Sequence, residues 1–427
     1  MNVKQLVALI SEGGIDSTLT ELYGAENLDS QKKRYISAVK GYENQYGDSE
    51  NLRLFSVPGR TEVSGNHTDH NHGKVLAASI DLDIIAVGSR TDDGIIAVKS
   101  EGFPEDVVKI ADIAVDPAKY ASSYAVIEGM CDGFVKHGYK VGGFRAYTTS
   151  NVFKGSGLSS SAAFEDMIGN MLRTFYDNDI DNVEIAKISQ YSENVFFGKP
   201  CGLMDQMACA VGGFIAIDFK DPSEPIIESP AFDLTAIGYS LCIVDTGGNH
   251  ADLTPDYAAV PAEMKSVAKE LGAEVLRDVS KEAFTAKLPE LREKCGDRAV
   301  LRALHFFAEN DRVSMQKAAL ERGDIKAFFD GVNASGNSSF KYLQNVYTTK
   351  NVAEQGLSLA LCLTEEFLSK LDKPSACRVH GGGFAGTIQA FVPKESALAL
   401  AAELDRVFGK GACHILSIRT KGAICIL

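Results

Sequence analysis

A glycine- and serine-rich loop at residues 154–163 follows a predicted strand at residues 144–149 and opens a predicted helix at residues 159–176. Glycines let the backbone approach an anion, and a helix start offers unpaired N–H groups at the positive end of its dipole. The pattern therefore predicts a strand–loop–helix unit that binds phosphate. It is not a Walker loop, because the spacing G-x-x-x-x-G-K-[ST] is absent. A glycine- and serine-rich helix cap without any ligand is the alternative.

The length of 427 residues exceeds what one hydrophobic core usually supports, so two domains are expected. Pro222, Pro225 and Pro230 cluster between two predicted strands, which places the domains at residues 1–222 and 223–427. Both halves contain strands and helices, which predicts an α+β fold. Two β-rich runs at residues 84–89 and 94–100 are joined by a turn signal and predict a hairpin.

The formal net charge of -14 argues against nucleic acid or an anionic membrane as a partner, since both require a basic surface. No stretch approaches the ~20 apolar residues of a membrane span. The nine cysteines are scattered and form no CxxC pair, which predicts reduced thiols. We therefore expect a cytoplasmic protein that binds neither nucleic acid nor a membrane. A monomer is a separate expectation.

Residues 58–73 hold an unusual density of hydrogen-bonding side chains between glycines. The set is Arg60, Glu62, Asn66, His67, Asp69, His70, Asn71 and His72. Such a set suits a polyol, whose hydroxyls each need a donor and an acceptor. A zinc site formed by the histidines is the rival interpretation, but a helical His-x-x-x-His pair is absent.

Two further segments carry candidate chemistry. Asp205 follows a segment of mostly small and apolar residues at 198–204, in which a carboxylate is unusual. In phosphoryl transfer a carboxylate either orients the attacking hydroxyl or binds Mg²⁺. A helix cap without a chemical role is the alternative. The other segment is a glycine loop at residues 381–386, which is a weak signal alone.

In order and spacing, these four segments together resemble the GHMP small-molecule kinases, and residues 58–73 narrow the resemblance to the galactokinase branch. Only residues 1–28 lie outside the resemblance. It implies a two-domain α+β GHMP kinase fold. A ribosomal-protein-S5-like N-terminal domain would face a helix-rich α/β sandwich at the C-terminus, with the active site between them.

The resemblance implies transfer of the γ-phosphate of ATP to the anomeric C1 hydroxyl of galactose, giving galactose 1-phosphate and ADP. Asp205 would be the base or the hydroxyl-orienting carboxylate, and Arg60 the cation beside it. Ser161 and Glu193 would hold Mg²⁺. The implied sugar-binding residues are Asn66, His67, Asp69, Gly202 and Tyr257. The implied ATP-phosphate loop comprises Gly155, Ser156, Gly157, Leu158, Ser159, Ser160 and Ser161.

Some positions depart from the family pattern. Asn66 stands where the family has a Glu that reaches the exocyclic hydroxymethyl group, and Glu62 stands where the family has Asn. The adenine-flanking aromatic residues do not align, and Tyr120 and Tyr124 are candidates. A kinase for another galacto-configured sugar (N-acetylgalactosamine, galacturonate or arabinose) is therefore an alternative. A non-catalytic sugar and ATP sensor is a weaker one, because the serine loop is complete.

Overall fold

The computed structural model describes residues 1–153, 157–199, 201–248 and 253–427. The strands are β1 (Arg53–Ser64), β2 (Lys74–Arg90), β3 (Ile95–Ser100), β4 (Glu105–Lys109), β5 (Phe144–Ser150), β6 (Phe214–Asp218), β7 (Ile226–Glu228), β8 (Tyr239–Asp245), β9 (Ala376–Val379), β10 (Thr387–Pro393), β11 (Cys413–Leu416) and β12 (Ile424–Cys425).

The α-helices complete the architecture, and two π-helical turns, Ser192–Phe197 and Ser339–Leu343, extend two of them. The helices are α1 (Val3–Ser11), α2 (Asp16–Tyr23), α3 (Leu28–Tyr46), α4 (Ser123–Lys136), α5 (Ser160–Phe175), α6 (Asn182–Tyr191), α7 (Met204–Val211), α8 (Thr254–Glu270), α9 (Lys281–Ala286), α10 (Leu288–Cys295), α11 (Asp297–Glu321), α12 (Ile325–Ser338), α13 (Gly356–Leu368) and α14 (Lys394–Phe408).

The larger sheet has the order β12-β1-β2-β5-β3-β4, and β6 pairs with the start of β2 and with β7. Helices cover both faces of this sheet. Leu54 packs in the cluster built by α1–α3, whereas its neighbour Phe55 packs with the apolar residues of α4 and α5. Successive side chains of a strand point to opposite faces, so a strand covered on both sides is apolar throughout.

The hairpin expected at residues 84–100 is wrong. β5 lies between β2 and β3, antiparallel to β2 and parallel to β3. A parallel neighbour needs a long crossover, which β4 and α4 supply between β3 and β5. The turn signal marked a change of direction correctly, but it carries no information about which strand lies beside which.

The smaller sheet has the order β11-β8-β10-β9. One of its faces packs on α13 and α14, and Phe391 on the other face packs against Phe328 and Phe329 of α12. The last strand returns to the larger sheet, where Cys425 pairs with Phe55 of β1. The domain boundary at residue 222 stays a prediction, and β7 beyond it still belongs to the larger sheet.

The first helices, which include the segment outside the family resemblance, close one face of the larger sheet. Val3, Leu6 and Ile10 are buried along one side of α1, the spacing of an amphipathic helix. Asn2 and Gln5 form a capping box at its start. These helices pack over Leu54, Ile85 and Val87. Across the described ranges, no helix combines the length and the apolar character needed to cross a membrane.

Candidate active site

An irregularity in β1 turns Arg60 towards the helices α5 and α7. Ser56 faces Tyr23 of α2, and an unbroken strand would point Arg60 to that same side. The β1–β2 register shifts between Pro58 and Arg60, and such a bulge re-aims the side chains that follow it. Gly59 allows the close approach, because an added Cβ would lie 2.7 Å from the carbonyl oxygen of Leu158.

Arg60 and Asp205 form a bidentate ion pair. Arg60 Nε lies 2.7 Å from Asp205 Oδ1, and Arg60 Nη2 lies 2.6 Å from Asp205 Oδ2. Ser159 Oγ donates to Asp205 Oδ2 at 2.5 Å, and Arg60 Nη1 donates to the carbonyl of Gly157. Burial acts to raise the pKa of Asp205, but the charge and hydrogen bonds of Arg60 outweigh it and hold that pKa below its usual range.

The Asp205 side chain retains 35% of its exposure, whereas that of Arg60 retains 8%. Asp205 lies in the first turn of α7, but within the described ranges its side-chain hydrogen bonds go to Arg60 and Ser159 and not to the helix start. A carboxylate held on one side by a buried cation and open on the other can receive a ligand hydroxyl. The geometry therefore favours a chemical role over helix capping.

The serine loop leads directly into α5. Leu158 is fully buried, its carbonyl accepts from the backbone N–H of Arg60 at 3.1 Å, and Ser159 has a φ of 59° at the start of the helix. Ser161 is exposed. The predicted phosphate contacts Gly155 and Ser156 lie outside the described residues. Gly157 also has a positive φ, of 73°, which glycine adopts without steric cost.

A cavity of about 570 Å³, the serine cavity, opens beside α5. Its polar lining includes Ser160, Ser161, Glu165 and Glu193. Its apolar wall includes Val126, Val152, Phe103, Phe164 and Phe197. The adenine candidates Tyr120 and Tyr124 are not among the described residues that line this cavity. Tyr120 packs against Gly198, and the Tyr124 ring lies 4.7 Å from the Lys119 ammonium.

Glu193 belongs to the π-helical turn that follows α6, and such turns often occur at functional sites. The residue is 3% exposed. Its two carboxylate oxygens accept hydrogen bonds from Lys199 Nζ at 3.2 Å and from Gln206 Nε2 at 2.8 Å. The predicted metal ligands Ser161 and Glu193 thus line the same cavity, although they come from different helices.

The loop after β1 brings His67, Asp69 and Gly202 together. His67 has a φ of 58°, and its Nε2 donates to the carbonyl of Gly382 at 2.9 Å. Burial lowers the pKa of His67 to about 4, so the ring is neutral near pH 7. Gly202 packs directly on Asp69, because an added Cβ would lie 2.3 Å from Asp69 Oδ2.

Asn66 is 1% exposed and its amide group is occupied by protein partners. Its Nδ2 donates to Glu62 Oε1 at 2.9 Å and to the carbonyl of Gly381 at 2.8 Å. Its Oδ1 accepts from Asn345 Nδ2 at 2.7 Å. An amide has two donors and two acceptor sites, so little capacity is left for a ligand. The sugar contact expected for Asn66 stays a prediction, and these contacts favour a supporting role.

Tyr257 of α8 lies over the glycine loop. Its hydroxyl donates to the carbonyl of Gly383 at 2.9 Å, and Gly382 packs against its ring. The loop carbonyls of Gly381 and Gly382 in turn accept from Asn66 and His67. The glycine loop at residues 381–386 therefore supports the segment at residues 58–73. Spacing along the chain does not reveal this contact.

A model of the galactokinase galactose-binding signature matches residues 40–90, and a model of the GHMP kinase N-terminal domain matches residues 123–213. The galactokinase of Streptomyces coelicolor is 30% identical over 86% of this chain and 91% of its own length. The chain belongs to the galactokinase family of GHMP kinases. A second member of the galactokinase family, from Limosilactobacillus reuteri, is 29% identical over 81% of this chain and 86% of its own length.

Solved structures of the galactokinase family and of its GHMP relatives share the fold. The crystal structure of Lactococcus lactis galactokinase complexed with galactose is similar, with a TM-score of 0.76 at 23% identity over 91% of this chain and 99% of that one. Methanococcus jannaschii mevalonate kinase has a TM-score of 0.60 at 14% identity over 86% of this chain and 99% of its own. These findings confirm the predicted α+β GHMP kinase fold and the assignment to a kinase of the galactokinase family.

Proposed function

We propose that this enzyme transfers the γ-phosphate of ATP to the C1 hydroxyl of galactose, and that Asp205 and Arg60 carry the chemistry. The observation behind this proposal is the bidentate pair of Arg60 with a partly exposed Asp205, next to the loop that holds His67 and Asp69. In phosphoryl transfer most of the catalysis comes from positioning and charge stabilisation.

The low pKa of Asp205 favours a role in orienting the hydroxyl over a role as a base in the ground state. A carboxylate that is strongly stabilised by Arg60 is a weak base in the ground state, because an efficient base has a pKa near the working pH. Asp205 therefore orients the C1 hydroxyl and accepts its proton only as the bond to phosphorus forms. Arg60 keeps Asp205 ionised and lies close enough to the serine loop to stabilise transferring charge.

We place the sugar against His67, Asp69, Gly202 and Tyr257. A neutral histidine and a carboxylate offer a donor and an acceptor to neighbouring hydroxyls. The glycine at position 202 lets its backbone pack directly against the Asp69 carboxylate. Asn66, the remaining residue of the expected sugar-binding set, holds this loop through Glu62 and Gly381.

The nucleotide occupies the serine cavity, with its phosphates against residues 157–161 and with Ser161 and Glu193 as ligands of Mg²⁺. Hydroxyl and carboxylate oxygens are the donors that Mg²⁺ prefers, and both line this cavity. Ser161 and Glu193 would hold Mg²⁺ here, and the ion would neutralise negative charge on the phosphates. The described cysteines form no disulfide, which supports a reducing, cytoplasmic setting, and we propose that the enzyme acts as a monomer.

A sugar panel with ATP and Mg²⁺, followed by ADP release, tests the proposal. Galactose is expected to give the highest kcat/KM, ahead of N-acetylgalactosamine, galacturonate and arabinose. A higher value for any of these sugars would reassign the substrate. Binding of galactose without ADP release would instead support a sensor. The phosphorylated carbon is identified by ³¹P–¹H NMR of the product.

A further inference from the structure

Glu165 faces the predicted metal site from the same helix that carries Ser161. The two residues lie four positions apart on α5, so their side chains project from one side of the helix, one turn apart. Both line the serine cavity, as does Glu193 from the π-helical turn on the facing segment. A hydroxyl and two carboxylates therefore converge on one volume that the nucleotide phosphates also need.

Glu165 is buried but incompletely bonded. It is 1% exposed, and its Oε2 accepts a hydrogen bond from Gln206 Nε2 at 3.0 Å. Its Oε1 has no hydrogen-bond partner within the described ranges. A buried acceptor without a partner destabilises the fold, and more so when the group is charged. A ligand that enters the cavity and contacts this oxygen would remove this destabilisation.

Gln206 donates hydrogen bonds to both carboxylates. Its single amide nitrogen donates to Glu165 at 3.0 Å and to Glu193 at 2.8 Å. Two carboxylates at such separation repel each other when both are ionised, and a cation close to both would relieve that repulsion. Of these two carboxylates, Lys199 pairs with Glu193, at 3.2 Å, and the Lys199 side chain is 64% exposed. The arrangement has the negative charge and the free oxygen that a divalent cation requires.

We propose that Glu165 is a second carboxylate of the divalent-cation site, beside Ser161 and Glu193, and that Gln206 is the positioning residue that sets the distance between the two carboxylates. Mg²⁺ commonly takes one or two carboxylates together with phosphate oxygens and water. The inference rests on the proposed function, because it places the cation of the nucleotide in the serine cavity.

Direct binding of Mn²⁺, measured by electron paramagnetic resonance on the full chain with ADP and without sugar, tests the inference independently of turnover. Glu165→Gln is expected to weaken Mn²⁺ binding by about tenfold or more, as is Gln206→Met, since supporting residues of metal sites typically contribute 10–100-fold. Glu193→Gln and Ser161→Ala serve as references for the predicted ligands. Circular dichroism melting of each variant checks that it is folded.

Asp166 provides a matched control on the same helix. It is fully buried, accepts from Ser189 Oγ at 2.8 Å, and also has one oxygen without a partner in the described part of the chain, but it does not line the serine cavity. Asp166→Asn is therefore expected to leave Mn²⁺ binding unchanged. An equal loss in Asp166→Asn and Glu165→Gln would overturn the inference, because burial alone would then explain both.

Two other outcomes separate this inference from the proposed function. Wild-type Mn²⁺ binding by Glu165→Gln, with weak binding by Glu193→Gln, would overturn the role of Glu165 and leave the proposed site intact. Wild-type binding by Glu193→Gln and Ser161→Ala as well would overturn the metal site itself. If Glu165→Gln does not fold, Glu165→Asp retains the charge but shortens the reach, and wild-type Mn²⁺ binding by that variant would contradict the inference.

Discussion

Two charged clusters lie on opposite sides of the β1–β2 hairpin. Both pair an aspartate with arginine, but they serve different purposes. The site cluster consists of Arg60, Asp205 and Ser159. The sealed cluster lies under α2 and α3 and consists of Asp83, Arg34, Arg419, Tyr23 and Ser56. In each, arginine charge lowers the pKa of an aspartate against the opposing effect of burial.

The difference is access to solvent. The Asp83 side chain has no exposure, and that of Asp205 retains 35%. Arg34 Nη1 approaches Asp83 Oδ1 at 2.6 Å, and Arg419 Nη1 approaches Asp83 Oδ2 at 3.2 Å. The sealed cluster thus ties an N-terminal helix and the C-terminal tail to the sheet. An ion pair of this kind becomes a site only where one side of the carboxylate stays open.

The largest effect on turnover is expected at Asp205, whose carboxylate is partly exposed. Asp205→Asn should lower kcat about 10²–10⁴-fold, the usual contribution of a positioned general base or orienter. Galactose binding measured by calorimetry and the melting temperature should stay close to those of the wild type. Near-normal turnover would contradict the catalytic role and make helix capping the better account of Asp205.

A substitution in the sealed cluster should lower the stability of the protein and leave its turnover unchanged. Asp83→Asn leaves Arg34 and Arg419 without their anion, so the free energy of unfolding should fall by about 3–5 kcal/mol. The kcat of the folded variant should be unchanged. Asp92→Asn is the control, since Asp92 pairs with Arg90 while 86% exposed and should cost about 0–1 kcal/mol. Equal losses in the two variants would show that the sealed cluster contributes no more than a surface pair.

Asn66→Glu tests whether the buried hydrogen bonds beside the site contribute to stability as those of the sealed cluster do. The new carboxylate would face Glu62 and the carbonyl of Gly381, where the amide now donates. We expect weaker galactose binding and a loss of about 1–3 kcal/mol in stability, because buried acceptors lose their donors. The double variant Glu62→Asn/Asn66→Glu restores a donor–acceptor pair and should recover part of both.

Kinetics with galactose and 6-deoxygalactose would show whether either residue contacts C6. Sharper selectivity for galactose in Asn66→Glu alone would contradict the supporting role and favour a direct sugar contact. If selectivity responds to neither residue, the sugar preference is set elsewhere in the pocket.

The smallest effect concerns pH on the sealed side. Burial raises the pKa of Asp81 to about 6, against the hydrogen bond from the Ser417 backbone, so its ionisation opposes folding above pH 6. That penalty disappears as pH falls from about 6 towards the unfolded value of 3.8. Asp83 has the opposite sign, because its lowered pKa stabilises the fold above about pH 4 and this contribution is lost in more acidic solution.

Asp81→Asn should therefore be more stable than the wild type at pH 7, and the difference should vanish near pH 4. Urea unfolding at several pH values measures this difference. A gap that stays constant with pH would contradict the raised pKa of Asp81.

The sequence by itself determined the fold class, the kinase family and the segments that hold candidate chemistry. Glycines, serines and carboxylates at short spacings form local units whose phosphate or hydroxyl binding depends mainly on neighbours in the chain. The α+β GHMP fold and the family are confirmed. The roles assigned to individual residues, among them Asp205 and Glu193, stay predictions that the variants above test.

Only the tertiary structure decided which side chains meet. Asn345 approaches Asn66 across a sequence separation of 279 residues, Gln206 joins Glu165 to Glu193, and β5 enters between two strands that looked like a hairpin. Sequence patterns report periodicity and turn chemistry, which are properties of neighbouring residues. Burial, partner and exposure depend on packing between distant elements, and they separate the open Asp205 from the sealed Asp83.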